Sequence, residues 1–121
     1  MVKAVLDTNI LIDYLQGSPA ARTELALYDQ PAISAITWME VMVGTTPETE
    51  AATRSFLAGF EVLPIGEMVA EEAVRIRRDK RIKLPDAIIW ATARVKQCLL
   101  VTRNNRDMEA NDPGVRVPYM V

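Results

Sequence analysis

At 121 residues, 50% apolar and 25% charged, the chain is long enough for one domain with a real core and too short for two. Its net charge of −2 and isoelectric point near 5.2 exclude nucleic-acid binding by bulk positive charge, although a local basic patch or a basic partner fits the balance. With no histidine and one cysteine, Cys98, there is no Ser-His-Asp triad, histidine general base, thiolate zinc cluster or internal disulfide.

A lone cysteine suits a reducing compartment. No apolar run reaches the ~20 residues of a membrane span, and Asp7 interrupts the first apolar stretch before it resembles a signal peptide. A cytoplasmic protein is expected.

In chain order, a short strand over 3–6 leads into a helix over 8–16, and Gly17-Ser18-Pro19 separates this from a helix over 20–28. A strand over 32–36 and a helix over 38–43 follow. Gly44 ends that helix, and Pro47 marks the start of the next, over 48–58. A strand over 61–65 precedes Gly66 and a long helix over 67–80. Pro85 opens a helix over 86–97, followed by a strand over 99–102 and a weaker one over 115–119. Strands alternating with helices predict a single α/β domain over 1–121, with a central parallel sheet of four to five strands and helices on both faces.

In such sheets, sites form beyond the carboxyl ends of the strands, where strand order reverses. Asp7 sits there after the first strand, either as a site residue or as a turn residue with Thr8 capping the next helix. Three more carboxylates hold comparable places: Glu40 in SAITWMEVMVG, Asp86 in KLPDAIIWATA and Asp107 in LVTRNNRDM. Each has a purely structural explanation. Thr37 and Glu40 match the capping box S/T-x-x-E. Asp86 in a first helical turn gains about 0.3–1 kcal/mol from the helix dipole. Asp107 can simply begin a short helix after Asn104 and Asn105.

Jointly these explanations weaken. Four carboxylates in one low-dielectric cleft repel one another, raising their pKa values or destabilising the fold. A divalent cation removes the conflict. With oxygen ligands alone on offer, the expected ion is Mg²⁺ or Mn²⁺. Magnesium retains several waters and can activate one of them, so the pattern points to phosphodiester hydrolysis.

The blocks VLDTNILIDYL, SAITWMEVMVG, KLPDAIIWATA and LLVTRNNRDM resemble, in that order, the signature blocks of PIN-domain ribonucleases, and among these the toxin subunits of VapBC toxin–antitoxin modules. The resemblance runs from about Val5 to Met108, nearly the whole chain. It implies a catalytic set of Asp7, Glu40, Asp86 and Asp107, with Asp7, Asp86 and Asp107 as metal ligands. Asn9, Thr102 and Asn104 match polar residues that orient the ligands or the metal-bound water. It further implies Mg²⁺-dependent endonucleolytic cleavage of RNA, with Mn²⁺ able to substitute, a homodimer, and inhibition by a VapB-like antitoxin lying along the active-site groove. Two positions depart from the family pattern: Met108 replaces the usual phenylalanine, and Trp90 stands where many members have a small residue. A helix places Trp90 one turn from Asp86, where it stacks on a base or belongs to the core or a dimer interface.

RIRRDKRIK, at 75–83, concentrates positive charge beside the Asp86 helix. Arg77, Arg78 and Arg81 are candidate RNA or partner contacts, as are Arg103 and Arg106, the alternative for the first group being a solvated helix end. Cys98 and Trp38 read as packing residues. A receiver-type domain needs a further acidic pair near the first strand and a lysine after the last long strand, where this chain has Asp7 alone and Arg103. A D-x-D phosphatase fails at Asn9. The alternative function is a PIN-like module that binds RNA or a protein without cutting.

Overall fold

Three consecutive apolar residues, Ala4, Val5 and Leu6, form β1 (Ala4–Leu6), and all are buried, as in a parallel strand covered on both faces. The computed structural model describes residues 3–108 and 111–120 and places this strand at the centre of a five-stranded parallel sheet. Around it the chain adds α1 (Thr8–Leu15), α2 (Pro19–Leu25), β2 (Ala32–Ser34), α3 (Ala35–Val43), α4 (Glu50–Leu57) and β3 (Glu61–Leu63). It continues with α5 (Glu67–Lys80), α6 (Leu84–Val95), β4 (Leu99–Val101) and β5 (Val115–Arg116). The α/β class and the central parallel sheet with helices on both faces hold as expected, with five strands.

The sheet order is β3-β2-β1-β4-β5, so strand order reverses between β1 and β4. Leu6 registers with Val101, which brings the next residues of the two strands, Asp7 and Thr102, side by side at the carboxyl edge. That is the position where open α/β sheets build their sites.

Side-chain alternation along the strands feeds two cores, one on each face of the sheet. Val5, Ala32, Leu63 and Leu100 join Val69, Ala73, Ile76, Ala87, Ile89 and Trp90 from α5 and α6. Ala4, Leu6, Ile33 and Val101 join Ile10, Leu11, Val41 and Leu57 from α1, α3 and α4.

Element boundaries depart from the sequence reading for local reasons. The strand expected over 32–36 stops at Ser34, whose hydroxyl accepts the Ile36 amide and caps α3. The helix therefore starts at Ala35 and not at 38. The strands expected over 61–65 and 115–119 end at Leu63 and Arg116, ahead of Pro64 and Pro118, which have no amide to donate to a ladder. Pro47 lies in a turn before α4, which begins at Glu50, whereas α6 begins at Leu84 with Pro85 in its first turn. Among the described residues, no helix is long and apolar enough to cross a membrane.

Candidate active site

The backbone amide of Asp7 donates to the Val101 carbonyl at 2.8 Å, which fixes this residue between the two central strands. Asp7 occupies the N-cap position of α1, but its side chain makes no capping hydrogen bond. The expectation that Thr8 caps the helix fails because Thr8 is already its first residue. Instead, Asp7 Oδ2 accepts from the Thr102 hydroxyl at 2.7 Å and from Asn9 Nδ2 at 3.3 Å. The Thr102 oxygen in turn accepts from Asn9 Nδ2 at 3.2 Å and from the Asn104 amide at 3.0 Å. Thr102 and Asn9 are thus both bound to the carboxylate, and Thr102 links it to Asn104.

Asp7 is 3% exposed. Burial raises its pKa from 3.8 to about 6, with the Thr102 hydrogen bond opposing the rise and the charges of Asp86 and Glu40 adding to it. Asp86, in the first turn of α6, is also shifted upward, by burial and then by the charges of Asp107 and Glu40, with Lys83 opposing. Asp7 and Glu40, Asp86 and Asp107 therefore share one electrostatic neighbourhood, although they come from four separate stretches of chain.

Asp107 is held by its own loop. Asn104 Nδ2 donates to Asp107 Oδ2 at 3.2 Å, and Asn104 Oδ1 accepts the amides of Arg106 and Asp107, each at 3.3 Å. Fully buried Met108 anchors the far end of this turn.

Glu40 lies on the exposed side of α3, and the Thr8 hydroxyl donates to its Oε1 at 2.7 Å. The Thr8 and Thr37 hydroxyls are 2.9 Å apart. The capping-box explanation of Glu40 is overturned: Ser34 is the cap, and Thr37 is buried inside the helix.

Among the described residues, no arginine or lysine forms an ion pair with any of these four carboxylates. The side-chain hydrogen-bond donors to Asp7, Glu40 and Asp107 are neutral hydroxyls and amides. A group of hard oxygen donors with no ion-pair partner among the described residues fits a divalent cation. No three acidic side chains among the described residues are grouped tightly enough to hold an ion unaided.

The candidate cations divide into two settings. Arg77 and Arg78, in the last turn of α5, and Arg81 just beyond it are exposed, and Arg81 ends the helix in the left-handed conformation at φ 57°. Arg106 is exposed beside Asp107. Arg103 is engaged: its Nε and Nη2 donate to the Asp13 carboxylate at 2.6 and 3.3 Å. Trp90 is 1% exposed, with Lys80 and Arg94 over its ring, so it belongs to the core and not to a stacking platform. The sequence singles out Thr8 only as a helix cap and does not single out Asp13. The spacing of Asn9 and Asp13, four residues apart on one helix face, was the available signal for the second.

The sequence over residues 4–112 matches the family model of the PIN domain. The chain is 37% identical over 108 residues to ribonuclease VapC10 of Mycobacterium tuberculosis, covering 83% of this chain and 81% of that protein. It is 32% identical over 121 residues to the tRNA(fMet)-specific endonuclease VapC of Shigella flexneri, covering 90% and 92% respectively. Its fold matches a chain of a toxin–antitoxin complex from Klebsiella pneumoniae with a TM-score of 0.92 and 45% identity, covering 98% of this chain and 100% of that one.

Proposed function

This chain belongs to the PIN-domain family, and we propose that it is the ribonuclease toxin of a VapBC-type toxin–antitoxin pair, cutting RNA with a divalent cation held by Asp7, Asp86 and Asp107. PIN-domain VapC nucleases are in general divalent-metal dependent. The specific ion proposed here is Mg²⁺, with Mn²⁺ as a substitute. The observation that carries the reading is the buried Asp7 carboxylate at the strand-order reversal, with the like charges of Asp86 and Glu40 nearby and hydrogen bonds from the neutral side chains of Thr102 and Asn9.

Each residue has a separable task. β1 and the Thr102–Asn9 network hold Asp7 rigidly, α6 presents Asp86 from its first turn, and Asn104 aims Asp107. When bound, the cation neutralises these carboxylates, stabilises charge developing on the phosphate and lowers the pKa of an attacking water. Glu40, exposed and steadied by Thr8, is placed to orient that water and take its proton. Arg77, Arg78, Arg81 and Arg106 supply phosphate contacts that hold RNA irrespective of sequence.

The partner is a cognate VapB-type antitoxin. Beside Glu40, Met39 and Val43 lie one helical turn apart on α3, and Val43 is 84% exposed. An antitoxin segment with an arginine or lysine next to aliphatic or aromatic anchors complements both the acidic cleft and this apolar rim. A homodimer and cytoplasmic residence complete the proposal.

The test is incubation of the purified chain with total RNA and with initiator tRNA, the RNA in the name of the Shigella flexneri relative. Cleavage should require Mg²⁺ or Mn²⁺ and stop on addition of chelator, and mapped ends should lack a 2′,3′-cyclic phosphate because water is the nucleophile. RNA binding without any cutting would establish the non-catalytic alternative.

A further inference from the structure

Asp13 lies one turn after Asn9 on α1, and the two side chains grip the same residue of the β4 loop. Asn9 Oδ1 accepts the Arg103 backbone amide at 3.3 Å, while Asp13 takes the Arg103 guanidinium through two donors. From the other side, the Tyr119 hydroxyl donates to Asp13 Oδ2 at 2.8 Å, and Asn105 Nδ2 donates to Met120 Sδ at 3.5 Å. Residue 103 is therefore held at its backbone and at its side chain. It sits between Thr102, which binds Asp7, and Asn104, which binds Asp107.

We propose that Arg103 is a positioning residue: its guanidinium, clamped by Asp13 with Tyr119 bracing the carboxylate, fixes the loop that presents Asn104 and Asp107 to the metal. Charge-assisted, two-point guanidinium–carboxylate contacts fix orientation as well as distance. Within the loop, Asn104 and the Met108 amide, which donates to the Asn104 carbonyl at 3.2 Å, hold the turn together, whereas the two-point contact from Arg103 to Asp13 ties that turn to α1. Arg103 is thus assigned to the protein's own loop and not to RNA phosphate. Outer contacts of this kind are worth about 10–100-fold in metal affinity or activity when removed.

The inference rests on the metal-dependent reading above, so the experiment separates the two. The full-length chain is titrated with Mn²⁺ alone, without RNA, by calorimetry. Asp13→Asn, nearly isosteric, and Arg103→Gln should each weaken Mn²⁺ binding about tenfold. The double variant should bind no worse than either single one, because both act through one contact. Arg94→Gln, which removes ion pairs at the far end of α6, should lower the melting temperature and leave Mn²⁺ binding as in wild type. Arg103→Lys, which keeps the charge but not the fork, should bind Mn²⁺ like Arg103→Gln and provides a second variant should the glutamine substitution fail to fold. Unchanged Mn²⁺ binding in the Asp13 and Arg103 variants would overturn the positioning role, as would a salt slope for RNA binding reduced by about one in Arg103→Gln and unaltered in Asp13→Asn, the mark of a phosphate contact. Failure of the wild type itself to bind Mn²⁺ would overturn the metal reading and this inference together.

Discussion

Asp7 is a buried carboxylate whose hydrogen-bond donors are neutral and whose charged neighbours include Asp86 and Glu40. Replacing it by asparagine keeps the shape and an oxygen able to accept from Thr102, and removes only the charge. If that charge holds the cation, Asp7→Asn should lower the rate of RNA cleavage by ~10³-fold or more, because metal stabilisation of the transition state is worth several kcal/mol and each decade is about 1.4 kcal/mol. In chelator at about pH 8 the same variant should melt above wild type, since it no longer buries an ionised carboxylate among like charges. Cleavage assays in Mn²⁺ and melts in chelator, run on the same preparations, read both effects. Equal cleavage by the two proteins would refute the metal-nuclease mechanism.

Among the elements, α3 separates local from tertiary control of a side chain. Glu40 is a candidate on sequence because it follows the second strand of the α/β pattern. Its partner was not legible, since the helix start was read three residues late. The run Ala32-Ile33-Ser34-Ala35-Ile36 has the β-branched content of a strand, and only the buried Ser34 hydroxyl, by accepting the Ile36 amide, marks the true helix start. Once α3 begins at Ala35, Glu40 is on its second turn and meets Thr8 across 32 residues of sequence. Glu40→Gln should therefore abolish cleavage with a melting temperature close to wild type, because an exposed side chain keeps its hydrogen bond to Thr8 through the amide oxygen. A large drop in melting temperature with activity retained would return Glu40 to a structural role. On α6 the reverse holds for Trp90. Sequence reading left its place open between rim and core, and burial against α5 decides for the core. Trp90→Ala should cost about 3–5 kcal/mol in urea unfolding, and a loss below ~1 kcal/mol would contradict that packing. The contacts Arg103–Asp13 and Arg116–Glu24 were beyond local reading altogether, because each joins residues about ninety positions apart that meet only in the assembled fold.

At the scale of the whole molecule, the two most buried carboxylates make stability depend on pH in opposite senses. For Asp7, the folded pKa of about 6 lies above the ordinary 3.8. Its contribution is fully present below pH 3.8 and is lost as pH rises through about 6, a change of roughly 3 kcal/mol at 1.36 kcal/mol per unit. Asp86 is shifted in the same direction and adds to this limb. Glu24, 3% exposed, is held below its ordinary 4.5 by hydrogen bonds from Arg116 and Tyr28, so its contribution is present above pH 4.5 and is lost as pH falls through its lowered value. In chelator, the melting temperature should therefore peak at about pH 4–5 and decline toward neutrality. A divalent cation needs the ionised carboxylates, so saturating Mn²⁺ should raise the melting temperature much more at pH 7.5 than at pH 5, as ligand binding to the native state requires. Asp7→Asn should flatten the neutral limb and remove most of the Mn²⁺ gain, while Glu24→Gln should flatten only the acid limb. The decisive comparison is a set of melts from about pH 2 to 8 with chelator and with Mn²⁺. A melting temperature in chelator that climbs steadily to pH 8, or an Mn²⁺ gain equal at pH 5 and pH 7.5, would mean that the buried carboxylates at the strand reversal are not the group that binds the ion.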